Sequence, residues 1–226
     1  FMRDSTDENL VELQYSWYEW ECAQSNMRQG KIGAALRRYK FMQTHFENFY
    51  EDQFDFHTYV LRKYEMRAYI KMVHYLDNVY DSEWYVKATI GAIEALERHE
   101  QQLPIIKKKE EEEEKMLAEM NSKERRNYKK KKEAQEKEED PIKEKLDFNG
   151  KKLIAELKDP LAEATSFAKK LLDVQVTNPK WRTRGFSTLV RLYVRKNKLL
   201  LALKAYNKIA DFAATDADTH IARIRL

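Results

Sequence analysis

Histidine, the commonest metal ligand and proton-transfer group in proteins, is present in this chain but never in a cluster. The histidines stand at positions 45, 57, 74, 99 and 220, and none has a paired carboxylate at a diagnostic spacing. A hydrolytic or metal-dependent site needs several such groups to converge on one point. The histidines therefore predict neither kind of site.

Two other groups of residues have chemistry that needs an explanation. Asp52 and Asp55 stand near His57, and we interpret them as carboxylates at a helix start, where free backbone N–H groups and the helix dipole favour negative charge. Cys22 has no base beside it, so a small buried residue is favoured over a nucleophile. As the lone cysteine it also excludes an internal disulfide and indicates a reducing compartment.

The sequence Gly30-Lys31-Ile32-Gly33 has the GxxG spacing of the RNA-binding loop of KH domains. That loop needs neighbouring strands, and no strand pattern is visible here. An acetyl-CoA loop is excluded as well, because it begins with Arg or Gln three positions before its first Gly, where this chain has Met27. We interpret the glycines as a helix turn. The sequence predicts no catalytic residue, no metal and no bound cofactor.

The clearest charge pattern lies between residues 107 and 140. Residues 107–122 carry four Lys and six Glu, residues 123–132 carry seven basic residues and one Glu, and residues 133–140 carry one Lys and five acidic residues. We call residues 123–132 the basic block; its net charge is +6. Its basic residues are Lys123, Arg125, Arg126, Lys129, Lys130, Lys131 and Lys132.

Two interpretations of the basic block are open. Lys–Glu pairs four residues apart, such as Lys107–Glu111, support a solvated linker helix that packs on little. Clustered Lys and Arg with an interleaved aromatic residue, here Tyr128, equally suit the phosphate backbone of an RNA. Because the net charge of the whole chain is only +4, any electrostatic function must lie in such a local block.

The elements that carry these residues are predicted to be helices. Gly (5) and Pro (4) are too scarce for many tight turns between strands, and 13 Tyr, 10 Phe and 4 Trp supply apolar surface to bury. No apolar run approaches the roughly 18 residues of a membrane span, so no membrane partner is expected. We predict an all-α fold with paired helices at 1–103, a charged, partly basic linker helix at 104–148, and paired helices again at 149–226.

Apolar spacing predicts which face of each helix points inward. Before the linker we expect two antiparallel pairs, the first helix starting behind caps at Ser5 and Thr6 and the fourth capped by Ser82. After it, Asp159-Pro160 should begin a helix, and Asp218 should cap a last one containing Ile221 and Ile224. The inward residues are Leu10, Leu13, Trp17, Trp20 and Met27 in the first helix; Ile32, Ala35, Leu36, Tyr39, Met42, Phe46 and Phe49 in the second; Leu61, Tyr64, Ala68, Met72, Tyr75 and Val79 in the third; Tyr85, Ala88, Ala92, Leu96 and His99 in the fourth; and, after the linker, Leu161, Ala164, Ala168 and Leu171, then Phe186, Leu189, Val190 and Tyr193, then Leu199, Ala202, Leu203, Tyr206 and Ile209.

Two distant segments align as copies of one repeat. Residues 28–42 read RQGKIGAALRRYKFM, and residues 195–209 read RKNKLLLALKAYNKI. The pattern places a residue tolerant of left-handed backbone at the turn, a small residue where two helices cross, and a Tyr in the next groove. We assign Gly30, Ala35 and Tyr39 with Ala23 to the first copy, and Asn197, Ala202 and Tyr206 with Tyr193 to the second. Such units are typical of tetratricopeptide repeats, which stack into a superhelix; ordinary helical hairpins are the alternative.

With the repeat assigned, the amino-acid sequence of the chain resembles that of the auxiliary subunit of the N-terminal acetyltransferase A complex. The most specific segment is DQFDFHTY at residues 52–59; Glu21-Cys22-Ala23-Gln24, Asp159-Pro160-Leu161 and Tyr193-Val194-Arg195-Lys196 agree with it. The resemblance covers nearly the whole chain, although the linker differs from the family pattern in length and charge order. Because the chain starts at Phe1 and not at Met, we expect an excised piece, and the resemblance implies that it is the C-terminal part of a longer protein.

The resemblance implies a non-catalytic, superhelical scaffold in the cytoplasm. Such a scaffold wraps a GNAT-fold catalytic subunit and docks the complex on the ribosome, where nascent chains that have lost their initiator Met are acetylated. The family's main contact with the catalytic subunit would lie N-terminal to this segment. The family's inositol-phosphate site would lie there as well. A small regulatory subunit similar to huntingtin-interacting protein K contacts the family's C-terminal region. The basic block would then touch ribosomal RNA. The alternative function is a general tetratricopeptide adaptor that holds a peptide or protein partner.

Overall fold

The described part of the chain consists of helices joined by turns and short loops. The computed structural model describes residues 10–53, 57, 66–121, 125–128, 146–173, 179–213, 221 and 223–224. Within these residues the longer elements are α1 (Ser16–Arg28), α2 (Ile32–Glu51), α3 (Met66–Asp77), a 3₁₀ turn (Val79–Asp81), α4 (Glu83–Glu119), α5 (Lys151–Glu156), α6 (Pro160–Asp173), α7 (Pro179–Arg195) and α8 (Leu199–Ala213). None of the described residues is in a strand, and the predicted all-α class is confirmed.

The turns of the two aligned segments have the same hydrogen-bond geometry. Gly30 and Asn197 have left-handed φ values of 75° and 54°. In the first turn the Lys31 N–H donates to the Asn26 carbonyl at 2.9 Å, and in the second the Lys198 N–H donates to the Tyr193 carbonyl at 2.8 Å. These bonds satisfy helix-end carbonyls and turn the chain sharply, so α1 pairs with α2 and α7 pairs with α8.

The middle pair of the stack consists of α4 and α6, which pack closely although the charged segment separates them in sequence. Two ion pairs join α4 to α7, Glu94–Arg184 and Glu97–Arg191. The second pair lies closer to the C-terminus of both helices than the first. Those two helices are therefore parallel. Contacts from α2 to α6 also advance together, as in Lys40–Glu163 and Lys170–Glu47. We therefore describe α1, α4 and α7 as the first helices of three stacked pairs, and α2, α6 and α8 as the second helices.

This pairing differs from the predicted one. We expected the third and fourth helices to pair, but α4 packs mainly on α2 and α6, and α3 makes fewer contacts with the core. From α3, Leu76 is buried and the ring of Tyr75 lies edge-on to Phe49. The charged segment is thus an insertion between the two helices of the middle pair. The predicted division at residue 103/104 falls inside α4, and one apolar core includes residues from both sides of the insertion.

α4 continues through Pro104 to Glu119 and is the longest helix described. Its inner half carries the predicted inward face, and Tyr85, Ala88, Ala92 and Leu96 are all buried. Ser82 occupies the N-cap position without a side-chain capping bond. By contrast, the Asp159 carboxylate accepts the Ala162 N–H at 3.0 Å, which confirms it as the cap of α6. That hydrogen bond lowers the pKa of Asp159.

Several predicted faces need correction. The predicted first helix is interrupted: residues 10–12 are helical, Gln14 then has a left-handed φ of 53°, and α1 begins at Ser16, so Leu13 and Trp17 are exposed. In α3 the inward face is shifted, which leaves Ala68 and Tyr75 exposed. Leu199 and Leu203 on α8 are exposed too. Predicted positions at Ser5, Thr6, Leu61, Tyr64 and Asp218 lie outside the described residues, whereas Ile221 and Ile224 are helical and exposed.

The insertion rejoins the stack through a tight backbone contact. Gly150 has a left-handed φ of 64°, and a Cβ there would lie 2.0 Å from the carbonyl oxygen of Gly33 at the start of α2. Beside it, the ring of Phe148 packs edge-on to Phe41 at 5.8 Å, and Arg37 Nε donates to the Leu146 carbonyl at 2.8 Å. The glycines that resembled a binding loop therefore include one that lets this return segment dock on α2.

Gly150→Ala is expected to lower the free energy of unfolding by about 2 kcal/mol or more, because it adds a backbone clash to the strain of a left-handed residue. Gly30→Ala is the matched control, since Gly30 also has positive φ but nothing within 4 Å of its added Cβ. It should cost only about 1–2 kcal/mol. Urea denaturation measures both; equal losses would show that the Gly33–Gly150 approach contributes no more than backbone strain.

Candidate interaction surfaces

The basic block is only partly within the described residues. Arg125 and Arg126 belong to a helical stretch at 125–128, and both are exposed. The other five basic residues proposed to contact RNA, Lys123, Lys129, Lys130, Lys131 and Lys132, lie outside the described residues. The two arginines are therefore available to a partner.

The outer half of α4, residues 101–119, brings this stretch out from the helix stack. Most of its side chains are exposed, and the pair Arg195–Glu100 is the outermost ion pair between α4 and α7 that the structure describes. Tyr128 donates its hydroxyl to Glu113 Oε1 at 3.4 Å, and Arg125 Nη2 donates to the Ala118 carbonyl at 3.4 Å. At about 1.5 Å per helical residue, Glu113 lies roughly 20 Å further along α4 than Glu100.

The residues assigned to the repeat lie where helices meet. Ala23, Ala35 and Ala202 have no exposed surface, and Tyr39 is likewise fully buried. Tyr193 is 1% exposed, and Tyr206 is partly buried against the same core. Gln24 Nε2 donates to the Tyr39 hydroxyl at 2.8 Å, so the polar end of this buried ring has a partner. Burial raises the pKa of Tyr39 above its ordinary value.

Within the described residues, the histidines and aspartates considered for catalysis or metal binding have surroundings typical of structural residues. His57 Nδ1 hydrogen-bonds the Tyr69 hydroxyl at 3.0 Å, and Asp52 directly follows α2; Asp55 lies outside the described residues. Burial lowers the pKa of His45 and of His99, which favours the neutral form of a packed histidine. Within the described ranges, no three His, Cys, Asp or Glu side chains are grouped as a metal site requires.

The outward face of α8 is apolar and basic. Leu199, Leu200 and Leu203 are 53%, 84% and 48% exposed, next to the exposed residues Lys198 and Lys204. Sequence reasoning missed this surface because it assigned Leu199 and Leu203 to the core and gave Leu200 no role. The signal was present: LLLAL at 199–203 has more apolar residues than one helix face can bury, and a surplus of this kind is typical of a protein contact.

The chain is similar to auxiliary subunits of N-terminal acetyltransferases. The family model for the N-terminal acetyltransferase A auxiliary subunit matches residues 1–141 and 94–209. The N-terminal acetyltransferase A complex auxiliary subunit NAA15 of Arabidopsis thaliana is 34% identical over 230 residues, covering 94% of this chain and 25% of that protein. The N-alpha-acetyltransferase 16, NatA auxiliary subunit, of Mus musculus is 40% identical over 106 residues, covering 46% of this chain and 12% of that protein.

A solved structure has the same fold over the full chain. It is described as Naa15/Naa10 bound to HypK-THB, and it matches with a TM-score of 0.67 and 25% identity over 100% of this chain. The match covers 28% of that protein, so this chain spans about a quarter of its length. Among the residues that the structure describes, no helix has the length and apolar character needed to cross a bilayer.

Proposed function

This chain belongs to the family of N-terminal acetyltransferase A auxiliary subunits, and we propose that it is part of the non-catalytic scaffold of a co-translational N-terminal acetyltransferase complex. The observation that carries the proposal is a family match over residues 1–209 combined with a stack of helix pairs of the same fold as Naa15. In this role the chain supports a GNAT-fold catalytic subunit bound by the full-length protein. Stacked pairs suit that task because each buries its face on its neighbour and leaves an extended surface for partners.

Ribosome docking is the second part of the proposal, and it implies a cytoplasmic location. The basic block supports it because a net charge of +6 in ten residues suits the phosphate backbone of ribosomal RNA. The position of Arg125 and Arg126 supports it too, since the outer half of α4 holds them away from the helix stack. A charged, exposed helix contributes little to the stability of the fold. The length of the outer half of α4 is better explained if it carries the basic block to a distant RNA surface.

A small regulatory subunit similar to huntingtin-interacting protein K is the third proposed partner. The solved neighbour is a structure of Naa15/Naa10 bound to HypK-THB. On this chain the outward face of α8 is a suitable surface, because exposed leucines flanked by lysines favour an amphipathic partner with acidic residues. Leu200→Glu on this face should weaken binding of that subunit without changing the fold, and Ile70→Glu on α3 is the matched control, because Ile70 is also an exposed aliphatic residue but lies on another helix.

A non-catalytic role predicts that the 226-residue chain neither acetylates peptides nor binds acetyl-CoA. It lacks an acetyl-CoA loop around Gly30, and its histidines are not paired with carboxylates at catalytic spacing. Isothermal titration calorimetry of the chain with acetyl-CoA should give no binding heat at micromolar concentrations. A GNAT-fold acetyltransferase titrated in parallel is the positive control. Micromolar binding to the chain itself would contradict a purely auxiliary role.

A further inference from the structure

Three of the four tryptophans of this chain surround a single lysine. Lys87 Nζ lies 4.1 Å from the ring centroid of Trp84 and 5.0 Å from that of Trp181. The centroid of the Trp20 ring is 6.0 Å away. Glu83 Oε1 completes the surroundings at 2.6 Å from the ammonium. We call these five residues the Lys87 cluster.

The rings of the Lys87 cluster come from three consecutive helix pairs. Trp20 lies on α1, Trp84 on α4 and Trp181 on α7, in each case near the helix N-terminus. They also contact one another: Trp181 Nε1 donates to Glu83 Oε1 at 2.8 Å, and the rings of Trp20 and Trp181 meet edge-on at 6.3 Å. The ammonium therefore sits at the point where the first helices of all three pairs converge.

Because the Lys87 ammonium is largely buried, it attracts the surrounding rings and carboxylate more strongly than a surface charge would. The Lys87 side chain is 15% exposed. Attraction between a cation and an aromatic face increases as water is excluded, and here one cation meets three faces and a carboxylate. The ion pairs Glu94–Arg184 and Glu97–Arg191 join only α4 to α7, whereas the Lys87 cluster also includes α1.

We propose that the Lys87 ammonium holds α1, α4 and α7 in one relative orientation, so that the curvature of this part of the superhelix depends on a single positive charge. An uncharged side chain of the same length would fill the space between the rings. It would not be drawn to three ring faces and Glu83 together. Removing the charge should therefore loosen the junction of the three pairs while the individual helices stay formed. This inference does not depend on the proposed function.

The test compares Lys87→Met, which keeps a long side chain without charge, with Lys87→Arg, which keeps the charge, in the 226-residue chain. For Lys87→Met we expect amide hydrogen exchange in α7 to accelerate about tenfold and the near-UV circular dichroism of the tryptophans to weaken, with unchanged far-UV circular dichroism. Lys87→Arg should stay within about twofold of the unsubstituted chain. Exchange and near-UV signal equal to the unsubstituted chain in Lys87→Met would overturn the proposal, because apolar filling would then suffice.

A second variant keeps the proposal testable if Lys87→Met does not fold. Glu83→Gln removes the counter-charge but keeps an oxygen that can accept the Trp181 N–H. Exchange of the α7 amides should accelerate about threefold in this variant, less than in Lys87→Met because the three rings still face the ammonium. Exchange identical to that of the unsubstituted chain would show that charge at this junction does not control the orientation of the pairs.

Discussion

Replacing Ala202 with glutamate is expected to lower the free energy of unfolding by about 3–5 kcal/mol, the cost of a buried charge without a partner. Ala202 has no exposed surface and packs in the same core as Ala35, its counterpart in the first repeat. Ala35→Glu should therefore have an effect of similar size. In both variants the longer side chain also overpacks a close helix contact, which adds to the loss. Urea denaturation followed by far-UV circular dichroism measures the change.

Ala68→Glu is the matched control for both substitutions. Ala68 lies on α3, where it is exposed, so the same chemical change should alter the free energy of unfolding by less than about 0.5 kcal/mol. If Ala35→Glu and Ala202→Glu were as stable as Ala68→Glu, neither alanine would lie at a close helix contact, and the assignment of these positions to the repeat would be wrong.

Changing all seven basic residues of the basic block to Glu is expected to weaken ribosome association strongly. Each phosphate neutralised by Lys or Arg releases counterions and contributes slightly less than one unit to the slope of log affinity against log salt. A helical block spreads its side chains around the axis, so about half of them can face one RNA surface, and the slope should fall by about three units. Cosedimentation with ribosomes across a salt series measures both the affinity and the slope.

The neighbouring lysines Lys107, Lys108 and Lys109 provide the control for this variant. They are exposed on the outer half of α4, and glutamates follow them directly in sequence. Changing these three to Glu should alter the salt slope by less than about one unit. Equal slopes for the unsubstituted chain and the sevenfold variant would mean that the basic block is only a solvated linker and that the ribosome contact lies elsewhere. Both variants should fold normally, because exposed charges contribute little to stability.

Local patterns in the sequence were sufficient to predict most of the helices. The scarcity of Gly and Pro in the whole chain favoured helices over strands. Two further signals depend on residues close together in the chain. They are the spacing of apolar residues in α2 and α7 and the Asp159-Pro160 helix start. The same holds for the turn at Gly30, where the backbone conformation depends on a few adjacent residues. Such features follow from periodicity and backbone conformation alone.

Contacts between distant residues could not be predicted in this way. The partner of α4 is α6, beyond the charged insertion, and nothing in the spacing of either helix identifies the other. The Lys87 cluster joins positions 20, 84 and 181, and the Gly33–Gly150 contact joins the start of α2 to a loop more than a hundred residues away. On α8, Leu199 and Leu203 fit an inward helical face by spacing, yet they are exposed because the core contact is made by Ala202, Ala205 and Ile209.

The measurement that tests the proposed scaffold role most directly is native purification of the full-length protein that carries this chain, followed by mass spectrometry of what co-purifies. The account predicts a GNAT-fold acetyltransferase in stoichiometric amount, together with a small regulatory subunit and ribosomal proteins that dissociate as salt is raised. A preparation that contains no acetyltransferase, but a bound peptide or an unrelated protein in its place, would contradict the scaffold role and favour a general tetratricopeptide adaptor.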